Sequence, residues 1–430
     1  MLLENLGRGA IGMLFLIMVC YALSNNRKAI DWKLVIIGVI VQICFALGVL
    51  RVNFVKIVFG WISGKFVEVI NIGHKGIEFI FGNLADASQG WGYVFAVQVL
   101  PNIIFFSALS AMLYYLGILQ KVVFVFAWML KKLGISGPES TSTAANIFLG
   151  QTEAPLMIRP FLDKLTRSEM LCIMVGGMAN TAGSVLAAYV GFLGGNDPEM
   201  QRYFALHMLS QSIMSAPAAI VVAKILFPQN EPVMKELKVP KEKLGDNFLD
   251  AISLGTTDGL KLAVNVGAML IVFTALMYFA NWILGTVSYR FGFNDAIAGA
   301  TGGRYSSLSL QLIFGYVFAP VAWLIGVHKN EMIMVGQLLG EKTILNEFVA
   351  YISFGDMKAK GMITNPKSIL IATYALCGFA NFASIGIQIG GISQLAPNQR
   401  RNLTELGIKA LIGGTIACLM CACIAGALFQ

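Results

Sequence analysis

Three polar side chains stand in a row at Gln151, Thr152 and Glu153, inside the stretch "LGQTEAPLMIRP" (149–160). An amide and a hydroxyl offer both donors and acceptors, which suits a ligand with a planar polar edge. The carboxylate adds a charged acceptor. A second carboxylate, Glu347, lies in "LNEFVAY" (345–351), and Asn381 and Ser384 follow it, three residues apart. On a helix that spacing puts both on one face. With Glu347 they make a cluster suited to sugar hydroxyls, although such groups can also join membrane helices to each other.

The surroundings make these groups costly. Hydrophobic residues are 57% of the chain and charged residues 13%, and the mean hydropathy is +0.73. A typical soluble protein carries about 25% charged residues. A chain of 430 residues this apolar cannot hide its side chains in one soluble core, so lipid is part of its solvent. A carboxylate at the centre of a membrane helix costs roughly 2.5–3.5 kcal/mol on insertion scales. Glu153 and Glu347 therefore need a reason. Binding of a ligand or ion supplies one; a structural carboxylate held by backbone N–H groups is the alternative.

Several classes are excluded. The net charge of +8 is no argument for nucleic acid, because Lys and Arg in a membrane protein sort loops to the cytoplasm. Seven cysteines fall in apolar stretches, and "CLMCAC" (418–423) reads as small thiols on a helix, with no His or carboxylate beside it to make a metal site. His74 and His328 lie in or beside surface segments, and His207 reads as an interfacial residue at the start of a span. No "GxxxxGK[ST]" phosphate loop is present, so ATP is not the energy source within this chain.

Stepping from side chains to the elements that hold them, about 20 mostly apolar residues make a span. Eight candidates read as 8–24, 33–50, 92–118, 170–194, 205–227, 260–285, 368–393 and 406–428. The first is expected to be an uncleaved helix rather than a signal peptide. Residues 51–82, 119–133 and 306–327 read as amphipathic helices on the membrane surface. Segments 139–163 and 331–355 each join two short apolar helices through a polar break. Irregular backbone at membrane depth survives only inside protein or along a wet cavity, so both read as re-entrant hairpins. Arg27, Lys28, Lys33, Lys131, Lys132, Arg159, Lys164, Arg167, Lys235, Lys238, Lys241, Lys243, Arg400 and Arg401 gather on one side, the cytoplasm, while Lys358, Lys360 and Lys367 fall on the other.

The spans after the two hairpins repeat Ala-Asn-x-Ala, as Ala179-Asn180-Thr181-Ala182 and Ala380-Asn381-Phe382-Ala383. Each asparagine follows a hairpin glutamate, by 27 and 34 residues respectively. One unit starts inside and the other outside, which makes them inverted repeats, the build of secondary transporters. Asn disfavours regular helix, so both spans are expected to unwind locally and free backbone groups for a ligand or cation.

These segments resemble the concentrative nucleoside transporter family, over nearly the whole chain and in its short bacterial type. The resemblance is carried by "GQTEAPL" (150–156), "AGSVLAAYV" (182–190), "NEFVAY" (346–351) and "CGFANFASIG" (377–386). It implies an all-α polytopic homotrimer with eight spans, two hairpins and interfacial helices. A scaffold would take residues 1–133 and 231–327, and a transport domain residues 134–230 and 328–430, one repeat in each. It implies that Gln151, Thr152 and Glu153 meet the nucleobase with Val185 nearby. Glu347, Asn381 and Ser384 would meet the ribose, with Phe379 at the edge. A sodium ion would sit at Asn146, Leu149, Asn180 and Thr181, mostly on carbonyl oxygens. The family commonly places a small hydroxyl residue where this chain has Asn180, which leaves sodium and proton both open as coupling ion. The expected function is ion-coupled nucleoside import across a bacterial inner membrane, with no cofactor and no enzymatic activity. A nucleobase transporter, an intramembrane hydrolase and a gated channel are the alternatives.

Overall fold

The computed structural model describes residues 2–85, 94–195, 197–234, 236 and 245–429. Residues 92–93 of the third expected span, and Lys235, Lys238, Lys241 and Lys243, lie outside the described residues. Helices make up the fold, with no strand among the described residues. Seven are long and apolar enough to cross a membrane. The remaining expected span, 368–393, is two shorter helices, Pro366–Leu376 and Phe382–Leu395, separated by a break. Numbered in chain order, spans one to eight begin at Leu2, Trp32, Phe95, Arg167, Pro198, Phe248, Pro366 and Arg400.

Spans four, five and eight form the interior. Their most apolar windows are 94%, 89% and 83% buried, against 6% for span six. Span six, Phe248–Arg290, runs 43 residues rather than the expected 26 or so. At 1.5 Å per residue it is roughly 65 Å long, twice the hydrocarbon thickness, so it must tilt or project beyond it. It lies along span three at Gly255 and Gly259. A Cβ on Gly259 would stand 2.8 Å from the Ile104 Cα, so only a pair of small residues four apart allows this approach.

The surface-type helices form as expected, at Asn53–Phe81, Ile118–Lys131 and Leu310–Leu324. The second buries Leu119, Val123, Ala127 and Leu130, one stripe at helical spacing, and packs on the first hairpin. Both hairpins form as well. Hairpin 1 runs out along Gly137–Ala145, turns, and returns by the short helices Ala154–Ile158 and Arg159–Leu162. Hairpin 2 pairs Met332–Ile344 with Glu347–Ala359. The return arm of hairpin 1 is short because Pro155 and Pro160 supply no N–H and restrict the turns before them.

Hairpin 1 starts from a capping box. Ser136 accepts from the Glu139 N–H at 3.2 Å, and the Glu139 carboxylate accepts from the Ser136 N–H at 2.9 Å. The other Glu139 oxygen pairs with Lys224 of span five, which also donates to Ser168 of span four at 3.0 Å. Glu139 is 1% exposed and the Lys224 side chain 6%, so the root of the hairpin is tied to two core spans through a dry charge pair. Breaking one side of such a pair leaves an uncompensated buried charge, at about 3–5 kcal/mol. Lys224→Met is therefore expected to lower thermal stability in detergent strongly, and Lys224→Met with Glu139→Gln to recover much of the loss. A single variant as stable as the parent would show that the pair ties nothing.

Candidate functional site

The two broken spans meet at their breaks. Span four is helical over Arg167–Ala179 and again over Gly183–Gly194, and span seven is interrupted between Leu376 and Phe382. Gly378 has φ +145°, a region L residues rarely adopt, and a Cβ there would lie 2.8 Å from the Ala179 carbonyl oxygen and 3.0 Å from that of Met178. Phe379 N–H donates to the Asn180 carbonyl at 3.3 Å, joining one break to the other.

The paired asparagines do different work. Asn381 caps the second half of span seven: its side-chain oxygen accepts from the Ser384 N–H at 2.8 Å, and its Nδ2 donates to Glu347 at 2.5 Å. Asn180 follows the first half of span four in extended conformation. Its Nδ2 donates back to the Gly176 carbonyl at 3.1 Å, and its Oδ1 accepts from Ser215 at 2.6 Å. Both atoms of that amide thus have a partner within the protein. Asn146, at the end of the first arm of hairpin 1, is 1% exposed and neither of its amide atoms has a hydrogen-bond partner. Buried polar groups rarely stay unpaired. Thr181 is fully buried with its Oγ1 at 3.5 Å from Cys377 Sγ, and Leu149 is 9% exposed at the hairpin turn.

The two glutamates hold matching places. Glu153 immediately precedes the return arm of hairpin 1, and Glu347 is the first residue of the return arm of hairpin 2, where helix N-terminal N–H groups favour negative charge. Their enclosure differs. Glu347 is buried and held by Asn381, whereas Glu153 is exposed into cavities on both sides of the hairpin tip. Its carboxylate folds over Gly150, so a side chain there would have to displace it.

A cavity of about 490 Å³ joins these groups. Gln151, Thr152 and Glu153 line it from hairpin 1, Glu347 from hairpin 2, and Phe379, Asn381 and Ser384 from span seven. Val185 of span four and the apolar Leu262, Val266 and Met269 of span six complete the wall. Gln151 Nε2 donates to Ser384 Oγ at 3.1 Å, so hairpin 1 and span seven are in direct contact across 233 positions of sequence. Its Oε1 is buried with no partner. A site with two carboxylates, four amides and two hydroxyls against largely apolar walls can bind a polar, hydroxylated solute of small-molecule size. A second cavity, about 230 Å³, lies beyond Glu153 toward Ser107, Tyr114 and Asp258.

Eight of the residues expected from the sequence thus share one cavity, and Asn146, Leu149, Asn180 and Thr181 sit around the hairpin 1 turn and the span four break. The groups that donate to carbonyls at and near the breaks were not anticipated. Gln211 of span five donates to the Ala179 carbonyl at 3.1 Å, Gln388 to Met174 at 3.0 Å, and Tyr351 to Thr373 at 3.0 Å. Cys418 reaches the Ala179 and Cys377 carbonyls, which gives "CLMCAC" a hydrogen-bonding role, and all seven cysteines are free thiols. His207 corrects the interfacial reading: it is 7% exposed, with Tyr203 edge-on at 4.4 Å and its Nδ1 3.4 Å from the Tyr374 hydroxyl. Span five starts at Pro198, seven residues earlier than the apolar run from 205 suggests, which carries His207 inside.

Re-entrant hairpins, broken spans and a polar cavity between them define a multi-pass secondary transporter. Family models give the class its chemistry. Residues 11–84 and 207–426 match the N-terminal and C-terminal parts of the Na+ dependent nucleoside transporter family, and residues 96–196 match a nucleoside recognition family called Gate. The chain belongs to the Na+-dependent nucleoside transporters. It is 44% identical to a transporter of Haemophilus influenzae, covering 97% of this chain and 96% of that one. It is 37% identical to solute carrier family 28 member 3 of Mus musculus, over 97% of this chain and 58% of the mouse protein. The structure of CNTnw in an inward-facing substrate-bound state matches with TM-score 0.87 and 38% identity, covering 98% of each chain. A CNTnw variant in an outward-facing state matches at TM-score 0.89 and 37% identity, over 100% of this chain and 99% of that one.

Gly378→Ala tests the crossing. The positive φ alone costs about 1–3 kcal/mol with a side chain present, and two carbonyls stand in the way. The variant is expected to unfold at clearly lower temperature, while Gly386→Ala, with open space around it, should be neutral or slightly stabilising. Equal midpoints for the two variants would mean that the breaks can separate freely.

Proposed function

We propose that this chain imports nucleosides such as uridine with sodium across a bacterial inner membrane, as a homotrimer working by alternating access. The observation that carries the reading is the cavity between the hairpin tips, polar on hairpin 1, hairpin 2 and span seven, and apolar along span six except at Asn265. Its volume lies within the range usual for small-ligand sites. Gln151, Thr152 and Glu153 match the alternating donors and acceptors of a pyrimidine edge, and the unpaired Gln151 Oε1 is one acceptor already in place. Glu347, Asn381 and Ser384 take the ribose, and Phe379 and Val185 flank the ring. Residues 134–230 and 328–430 then act as the transport domain, and 1–133 and 231–327 as the scaffold.

Sodium is the co-substrate favoured by Asn146. Its buried, unpartnered amide oxygen and the backbone at Leu149 and Thr181 supply the hard oxygen ligands such a cation takes. Asn180 has one hydrogen bond on each of its oxygens, from Ser215 to the side chain and from the Phe379 N–H to the main chain, so either oxygen would coordinate with its remaining lone pair. Proton coupling is the second reading, favoured by that engagement and by Glu153, whose carboxylate opens into two cavities.

Uptake into proteoliposomes with sodium and proton gradients imposed separately tests the reading. An inward sodium gradient should drive accumulation, and Asn146→Ala should raise the sodium concentration needed for half-maximal uptake. Equal uptake from choline buffer at fixed pH would hand the coupling to protons.

Glu347→Gln tests the ribose assignment. Loss of the charge should weaken ribonucleoside binding by about 1.5–3 kcal/mol, tenfold or more, for its charged hydrogen bonds. A free base has no ribose to lose and should bind the variant almost as it binds the parent. Similar losses for both ligands would make Glu347 a structural carboxylate.

A further inference from the structure

Lys342 stands in the last turn of the first arm of hairpin 2 and is 2% exposed. Its ammonium donates to the Ala375 carbonyl at 2.9 Å and lies near Cys418, the thiol that reaches both breaks. Among the described residues no carboxylate is within ion-pair distance of it. The adjacent Glu341 is engaged with Gln337 at 2.8 Å, and Glu347 is a charged neighbour beyond contact. A buried ammonium with so few partners is costly, and neither the cavity lining nor the nucleoside contacts proposed above make use of it.

The internal repeat gives it a place. In the first repeat, Asn146 ends the first arm of hairpin 1 and stands against Gly176, in the last turn of the first half of span four. In the second repeat, Lys342 stands in the last turn of the first arm of hairpin 2 and binds Ala375, in the last turn of the first half of span seven. Both positions face the C-terminal end of a half-helix, where unpaired carbonyls concentrate partial negative charge and favour a cation. The first repeat leaves an amide there without a protein partner. The second fills the place with a side chain.

We propose that Lys342 is a tethered cation, occupying in the second repeat the place that the coupling sodium takes in the first. The comparison rests on the sodium reading above. The protein then needs a free cation at one half-helix end and carries its own at the other. The fixed charge holds the span seven break and, through it, Asn381 and Glu347 in the arrangement that binds substrate. Lys342 is thus a positioning residue that touches no substrate atom.

A tethered cation has a signature that a merely structural lysine lacks: once removed, it can be replaced from solution. Uridine binding to purified protein is measured for the parent, Lys342→Ala and Lys342→Met while NaCl, and separately KCl, replaces choline chloride. Lys342→Ala, which empties the place, should bind uridine at least about tenfold more weakly at low cation and recover as either cation rises. Its logarithmic dependence on cation should be steeper than that of the parent by about one, for one more ion bound per uridine. Lys342→Met, which fills the place with an apolar chain, should stay weak at every concentration. Should Lys342→Ala fold only poorly, NaCl or KCl should rescue its folding and raise its unfolding temperature more than the parent's.

The proposal is overturned if Lys342→Ala binds uridine as the parent does, if its loss is not recovered by any of these cations, or if its cation slope equals the parent's. It is also overturned if Lys342→Ala stays unfolded in every salt. The sodium reading fails separately, by a parent whose uridine binding ignores sodium. A parent indifferent to sodium with a Lys342→Ala variant rescued by it would keep the tethered cation and discard the coupling ion.

Discussion

Unwound backbone at membrane depth must find partners inside the protein, and every other feature of this molecule follows from how that demand is met. Spans four and seven stop being helical where they cross, and each interruption leaves carbonyls and N–H groups that lipid cannot satisfy. Gly378 lets the two chains touch, with Met178 and Ala179 carbonyls at 3.0 and 2.8 Å from where a Cβ would be. Gln211, Gln388, Tyr351, Cys418 and Lys342 supply donors to carbonyls at and near the breaks. Those five come from span five, the second half of span seven, both arms of hairpin 2 and span eight. The crossing therefore fixes which elements surround it, and the interior burial of spans five and eight is the consequence.

The same crossing makes the two repeats unequal. In the second, Asn381 caps a helix and holds Glu347, so the carboxylate is buried and oriented before anything binds. In the first, Asn180 turns back to Gly176 and Ser215, and Glu153 is left open to cavities on both faces of hairpin 1. A held carboxylate has already met its ordering cost and can discriminate by geometry. One open to water keeps its hydration and its freedom to change partners. The same Ala-Asn-x-Ala signature thus yields one rigid corner and one adaptable corner in the same cavity.

The sequence showed the hairpins because prolines, a Gln-Thr-Glu run and polar interruptions cannot be hidden in lipid. The breaks were legible from Asn180 and Asn381 for the same reason: each is a polar residue that the apolar pattern does not explain. Partners of the breaks were not legible. Gln151 meets Ser384 across 233 positions and Gln388 meets Met174 across 214, and no local pattern encodes such pairings. Lys342 and Lys224 were passed over because a lysine amid apolar residues resembles a span boundary, whereas both are buried ends of tertiary contacts. Span six was read short, since hydropathy finds the apolar segment of a helix and not its polar extensions at 248–259 and near Arg290. His207 was misplaced by the same error at the start of span five.

The cavity's two sides differ in what a bound solute would lose by moving relative to them. Hairpin 1, hairpin 2 and span seven bring the carboxylates, three amides and two hydroxyls, while span six brings Leu262, Val266, Met269 and Leu270 with Asn265 as its single amide. A solute hydrogen-bonded to the first group makes mainly dispersion contacts with the second, and those are individually weak and not directional. Sliding along span six therefore breaks few bonds that must be remade, whereas leaving the hairpins breaks all of them. Span six also meets span three over glycines and small side chains, at Gly255 and Gly259, so its own support is smooth and close rather than interlocked by long side chains. Under the proposed reading, alternating access would carry the polar wall and the solute together past span six, because that is the side of the site on which the solute is held least.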